Sequence, residues 1–178
     1  MSSRICLREP TLGDQRDFSG AVRRSRALHD PWVTPPVTAG QFRKYLGRVA
    51  PPANCALLVC RRDSGALVGV IEITNIVRGL FRSAYVGYYA FAGHERQGLM
   101  REGLRAAVRH GFRTLKLHRL EANIQPGNAA SIALVRSCGF TKEGYSPRYL
   151  KIRNRWRDHE RWAILAEQTR HEASMHGG

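Results

Sequence analysis

The sequence predicts one α/β (α+β) domain, a mixed and mostly antiparallel sheet of about seven strands carrying about four helices. Three observations predict it. The 178 residues, 43% of them hydrophobic, suffice for one two-layer core and fall short of two large domains. Stretches of helical period with capping residues stand at 11–28, 38–49, 98–115 and 129–138. Elsewhere, runs rich in Val, Ile, Tyr and Phe are cut by glycine turns, which is strand patterning. The domain is expected to span residues 1–167, with 168–178 a loosely ordered tail that has little to bury.

In chain order, Ile5-Cys6-Leu7 reads as the first strand. Thr11-x-x-Asp14 then offers a helix N-cap with an acidic first turn ahead of Phe18, Ala21 and Val22, and this helix is expected to reach Leu28. Three prolines between His29 and Pro36 exclude regular helix and make a shaped surface loop that carries Trp32. Thr38-Ala39-Gly40-Gln41 has capping-box spacing, and Phe42, Tyr45, Leu46 and Val49 follow at helical intervals until Pro51-Pro52. Strands at 55–61, 67–77 and 83–91 form an antiparallel meander. The third helix starts near Gly98 and runs to about Leu115, with Leu99, Leu104, Ala107, Val108 and Phe112 on one side and Arg101, Arg105, Arg109 and Arg113 on the other. A strand at 119–124, a turn through Pro126-Gly127-Asn128 and a helix at 129–138 closed by Gly139 follow. A last hairpin joins strands at 149–152 and 156–164, where Lys151, Arg153, Arg155 and Arg157 alternate and on a continuous strand would share a face.

Lys and Arg number 29 against 14 Asp and Glu, a net charge of +15, so an anionic partner is expected. A phosphorylated cofactor, RNA, DNA or an acidic protein would each satisfy it, because long-range electrostatics does not distinguish them. No run of 18 apolar residues exists and Arg8 and Glu9 interrupt the N-terminus, so neither a membrane span nor a signal peptide is expected, and the location is cytoplasmic. Cys6, Cys55, Cys60 and Cys138 form no C-x-x-C pair, which argues against a zinc knuckle or a disulfide scaffold, and no metal is expected.

The stretch from Val86 to Met100 is a strand, a polar loop and a helix that opens at glycine. The first N–H groups of a helix are free and carry about half a positive charge, so a phosphate can sit there on backbone donors. Gly93 and Gly98 have the spacing of a phosphate loop, but Leu99-Met100 replaces its Lys-Ser/Thr and excludes a P-loop. The Gly-x-Gly-x-x-Gly fingerprint and the second His of a zinc-protease helix are also missing. A plain strand-to-helix turn is the alternative. Arg101 in the first turn is unfavourable by about 0.3–1 kcal/mol unless an anion compensates, and the arginine row is either a solvated face or a ridge that meets phosphate.

Val86-Gly87-Tyr88, Gln97-Gly98-Leu99-Met100-x-Glu102, His118-Arg119-Leu120-x-Ala122-Asn123, Pro126-x-Asn128-x-x-Ser131, Cys138-Gly139-Phe140-x-Lys142-Glu143-Gly144-Tyr145 and Trp156-Arg157-Asp158-His159 stand in this order. Together they resemble the GNAT acetyltransferase superfamily, and more narrowly its ribosomal-protein alanine N-acetyltransferase branch, the RimJ/RimL type. Leu7-Arg8 with Asp14, and Pro31-Trp32, extend the likeness loosely into the first half. The resemblance implies transfer of an acetyl group from acetyl-CoA to a primary amine. It also implies a sheet splayed between strands 4 and 5, with the pantetheine arm in the gap along Tyr89, Ala90 and Phe91, paired as another strand would be. The pyrophosphate would take the N–H groups of Arg96, Gln97, Gly98, Leu99 and Met100, with Arg101 beside it. The family usually has glycine where this chain has Arg96. Its guanidinium is expected to grip the phosphates, and a positive φ there would mean a differently shaped loop. Gly103 stands where the branch usually has Ala, at a cost of about 0.8–1 kcal/mol of helix propensity that close packing would offset.

By the same resemblance Asn128 holds pantetheine and Ser131 lies near the sulfur as acid or donor, with helix capping as the alternative for both. A peptide α-amine has a reference pKa of about 7.7–8.0 and needs only a modest base. Glu72, on an inner strand among apolar neighbours, is the candidate base, acting through water. Glu102, Tyr85 and His118 stand in reserve, and Cys138 is expected in the core. Trp32, Tyr88 and Asn123 are the candidate acceptor-binding residues. The acceptor is expected to be a protein N-terminus, ribosomal first, and otherwise a small amine such as an antibiotic, polyamine or amino acid. A non-catalytic RNA-binding module is the competing class, with ribosome or RNA contact through the basic surface. Monomer and homodimer are both compatible with the sequence.

Overall fold

The computed structural model describes residues 3–169. Strands β1 (Ile5–Arg8), β2 (Cys55–Arg61), β3 (Leu67–Val77), β4 (Ser83–Ala90), β5 (Arg119–Ile124), β6 (Thr141–Ile152) and β7 (Arg155–Leu165) form one seven-stranded sheet in the order β1-β2-β3-β4-β5-β7-β6. Helices α1 (Gln15–Arg24), α2 (Arg26–His29) and α3 (Ala39–Arg48) lie on one side, and α4 (Leu99–Arg113) and α5 (Ala129–Ser137) on the other. Each strand feeds both layers because its side chains alternate. Val70 packs with Phe18, Phe42 and Phe91 under α1 and α3, while Ile71 and Ile73 pack with Leu104, Ala107 and Val108 of α4.

All neighbours in the sheet are antiparallel except β4 and β5. Parallel neighbours need a crossover, and α4 supplies it. β4 and β5 pair at Ser83↔Arg119, Ala84↔Leu120 and Tyr85↔Glu121 and part from there on, so the splay expected between strands 4 and 5 opens at residue 86.

α4 sits close to the sheet because its inward stripe is small. A Cβ at Gly103 would lie 2.8 Å from Val59 Cγ2, and one at Gly111 3.0 Å from Leu120 Cδ1. Close packing therefore accounts for the glycine at 103 at the expense of helix propensity.

Three expectations change. The first helix does not run to Leu28: it breaks at Ser25, whose buried Oγ donates to Ala21 C=O at 2.6 Å and accepts from Ala92 N–H at 2.8 Å, so α2 is a separate turn. The strand expected at 149–152 begins at Thr141. It lies at the sheet edge, mostly exposed on both faces, so it has no apolar alternation to read, and an edge admits Pro147 beside a register shift between Ser146 and Leu150. The arginine stripe of the last hairpin is divided by its turn at Arg153-Asn154, both at positive φ. Lys151 faces Trp156 across the ladder while Arg155 faces Ile152, and Arg153 instead pairs with Asp30. The expected tail at 168–178 lies, from residue 170 on, outside the described residues, and 166–169 form a helical turn.

Candidate active site

At the splay, register places side chains on a common face. Glu72 stands directly opposite Gly87, and Asn123 lies two residues beyond Glu121, the partner of Tyr85. Glu72, Gly87 and Asn123 therefore face the same side of the sheet, toward α1 and α3. Gly87 is exposed inside a strand, and a Cβ on it would meet nothing within 4 Å. A strand glycine with open space above it admits the close approach of another molecule. Asn123 Oδ1 is buried without a hydrogen-bond partner, an acceptor still owed a donor. Glu72 is mostly buried and pairs with Arg48 of α3 at 3.4 Å.

From the other side, the first turn of α5 reaches across the splay. Asn128 is its N-cap and accepts from Ser131 N–H at 3.2 Å, so its capping role is realised. Ser131 Oγ donates to Tyr88 Oη at 2.7 Å, and the Tyr88 hydroxyl donates to Ser131 C=O at 3.0 Å. Burial pushes the Tyr88 phenol above its ordinary value and keeps it protonated. Trp32 is half-buried, its ring beside Gly127 (3.3 Å from the position a Cβ would take there), so the proline loop spans to the turn that presents Asn128.

The end of β4 is clamped. His29 Nε2 donates to Ala90 C=O at 2.8 Å, Phe91 N–H donates to Val68 C=O at 2.7 Å, and Ala92 N–H donates to Ser25 Oγ. The side chains of Tyr89 and Phe91 are packed against one another in the α1 and α3 layer. What β4 offers the splay is thus the backbone edge from residue 86, which β5 has left, and an extended chain bearing amides suits it. Burial lowers His29 and keeps it neutral, and with Nε2–H committed its buried Nδ1 lone pair lacks a partner.

The loop before α4 turns backbone N–H groups outward. Glu95 folds back so that its own carboxylate accepts from Gly93 N–H at 2.7 Å, and bonds with backbone N–H groups hold it below the usual carboxylate range. Gly98 caps α4 at φ 75, and the N–H groups of Leu99, Met100 and Arg101 start the helix without intrahelical acceptors. The side chain of Leu99 is buried in the core and Met100 packs against it, so these two offer backbone only. Arg96 has φ 58, the condition under which the loop was expected to take another shape. It accepts a left-handed residue without glycine, and among the described residues no hydrogen bond ties the exposed guanidinium down. Arg101 is exposed beside it. Arg4 donates to Gln97 C=O at 3.0 Å and pairs with Glu102, and Arg61 reaches Gln97 Oε1 at 3.4 Å. Glu102 is therefore a tether for the loop rather than a free acid or base.

A cavity of about 1000 Å³ opens on the face of Glu72, walled by Val22, Val33, Pro35, Pro36 and Tyr45 and by Arg23, Arg26, Lys44, Arg48 and Arg153. His118 stands at the paired end of β4 and β5 with Glu167, away from the splay. Cys138 is buried, its thiol pushed up by burial, which disfavours a thiolate nucleophile. Among the described residues no group of three or more His, Cys, Asp and Glu side chains converges as a metal would require, and no helix is long and apolar enough to cross a membrane. Sequence reasoning missed Ser25, His29, Arg4 and Arg48, since each acts through a partner far away in the chain.

Comparison with known proteins agrees with this geometry. The acetyltransferase (GNAT) domain family model matches residues 4–141. A probable N-acetyltransferase of Bacillus subtilis, YjcK, is 31% identical over 160 residues, 88% of this chain and 87% of its own. The [ribosomal protein uS5]-alanine N-acetyltransferase of Escherichia coli is 43% identical over 97 residues, 54% of this chain and 50% of its own. Among solved structures, Mycobacterium smegmatis RimJ in complex with CoA-disulfide superposes with a TM-score of 0.84 at 25% identity, covering 96% of this chain and 89% of that one. The spermidine N-acetyltransferase of Vibrio cholerae, in complex with CoA and spermine, gives 0.79 at 24% identity over 94% and 98%, a likeness of fold. With the splayed sheet and these relatives in agreement, the chain belongs to the GNAT acetyltransferase family as an N-acetyltransferase, and it is similar to members of the RimJ/RimL branch.

Proposed function

We propose that this enzyme acetylates the N-terminal α-amine of a protein, a ribosomal protein being the first candidate, from acetyl-CoA in a ternary complex. It acts as a single domain over residues 1–167, in the cytoplasm. The observation that carries the reading is the open space over Gly87, flanked on one face by Glu72 and the unpartnered Asn123 Oδ1 and backed by Ser131 and Tyr88. Bound in the splay, acetyl-CoA supplies the acetyl group as an activated thioester.

The residues divide the work by position. The free edge of β4 at Tyr88, Tyr89 and Ala90 suits an amide-bearing arm, and the N–H groups at Arg96–Met100, with the cations of Arg96 and Arg101, suit a pyrophosphate. Asn123 Oδ1 accepts from the incoming amine and aims its lone pair. Glu72 takes the amine proton through water, which is sufficient because an α-amine near pKa 7.7–8.0 is partly neutral at physiological pH. Ser131 stands on the other side of the splay with its Oγ proton directed at Tyr88 Oη, and the hydroxyl turns from Tyr88 to give that proton to the departing sulfur. Trp32 closes the mouth beside Asn128.

A small-amine acceptor remains the second reading, since the fold also hosts a spermidine N-acetyltransferase in Vibrio cholerae. The cavity opposes a polyamine, because its charged lining is cationic. Acetylation of synthetic peptides and of spermidine, followed by free-thiol release and by mass spectrometry of the α-amine, tests the reading. Peptide N-termini are expected to be modified and spermidine not. Turnover of spermidine alone would overturn it.

A further inference from the structure

The cavity on the α1 and α3 side of the sheet, joined to Glu72 through Arg48, is lined by cations. Arg23, Arg26, Lys44, Arg48 and Arg153 line it, and no Asp or Glu does. Two of these cations already hold carboxylates, Arg48 that of Glu72 and Arg153 that of Asp30. Among the described residues Arg26 and Lys44 have no such partner, and Arg161, opposite Asn123 on β7, adds a further cation to the same face. Cations gathered around a concave surface raise its potential and concentrate anions there.

The remaining wall is largely apolar, with His29, Thr34, Thr38 and Gln41 among it. Val33, Pro35, Pro36 and Val37 of the proline loop face Val22 and Tyr45, which suits a peptide backbone with its side chains more than a stacked nucleic acid. We infer that the acceptor is an acidic N-terminal peptide: its α-amine lies over Gly87, and Asp or Glu side chains at its next few positions lie against Arg26, Lys44 and the neighbouring arginines. The inference rests on the reading of the splay as the place of amine attack and adds to it the substrate class.

The test is a panel of hexapeptides sharing one N-terminal residue and differing at positions 2–5, acidic, neutral or basic, with kcat and KM measured for each at low and high salt. The acidic set should exceed the neutral set at least tenfold in kcat/KM and the basic set by more, through KM, and the preference should shrink as salt screens it. In Arg26→Gln and Lys44→Gln, both at exposed positions, the ratio of acidic to neutral should collapse. Anisotropy of a fluorescent acidic peptide in the absence of acetyl-CoA reads the same cations without turnover and should weaken in both variants. Equal kcat/KM across the panel would overturn the inference and leave protein N-terminal acetylation standing. No turnover of any peptide would overturn both. Competitive inhibition by a single-stranded RNA oligonucleotide, relieved by Arg26→Gln while the panel shows no charge preference, would assign the cavity to RNA instead.

Discussion

Ser131 and Tyr88 share hydrogen bonds in both directions across the splay, so each positions the other. Ser131→Ala is expected to lower kcat about 100-fold, the usual scale for a lost proton donor. KM for acetyl-CoA should change little. Tyr88→Phe should cost less, and the double variant should be less harmful than the two effects combined, as for groups acting as one unit. Two buried histidines give a second prediction. Burial lowers His29 and His159 below their unfolded value of about 6.5, so below that pH the unfolded chain binds protons that the native state refuses. Stability should therefore rise with pH between about 5 and 7, and His159→Gln should flatten that rise in pH-dependent urea titrations. A stability that increases on acidification would contradict it.

Element by element, glycine and its absence mark how closely parts approach. Gly103→Ala gains about 0.8–1 kcal/mol of helix propensity but drives a methyl into Val59, 2.8 Å away, and overpacking costs about 1–3 kcal/mol. The variant should lose about 1 kcal/mol net and melt about 2–4 °C lower. At the loop before α4 the sign reverses. Arg96 holds φ 58, which costs an L-residue about 1–2 kcal/mol, so Arg96→Gly should stabilise the free protein by up to about 1 kcal/mol after the entropy of the unfolded glycine is counted. Titration calorimetry should show the same variant binding acetyl-CoA more weakly, since a charge-assisted donor is gone. Unchanged affinity would mean that the guanidinium points away from the phosphates.

Across the whole molecule, acetyl-CoA at 100 times its Kd should add about 2.7 kcal/mol to the stability of the fold, a rise of roughly 5–10 °C in Tm for a domain of this size. No shift at millimolar ligand would remove the loop at Arg96–Met100 from the donor site. Much of this architecture was legible in the chain. Strands β2, β3 and β5 match the expected ranges residue for residue, because a continuous apolar run in β2 and β3 and strict alternation in β5 are local patterns. Thr38 and Gln41 form the expected capping box, since a cap is decided by residues three apart. The edge strand β6 was read short because a strand exposed on both faces has no alternation, and α2 was missed because Ser25 breaks the helix to bond Ala92, 67 residues away. Family and fold class were thus determined by the sequence itself, through short motifs whose chemistry is carried by neighbours in the chain. Tertiary structure alone decided that Glu72 pairs with Arg48, that Asn123 Oδ1 is left unpartnered beside the open face of Gly87, and that cations of α1, α2, α3 and the β6–β7 turn line one cavity. Each of these depends on strand register and layer packing, which bring together residues that sequence separation keeps apart.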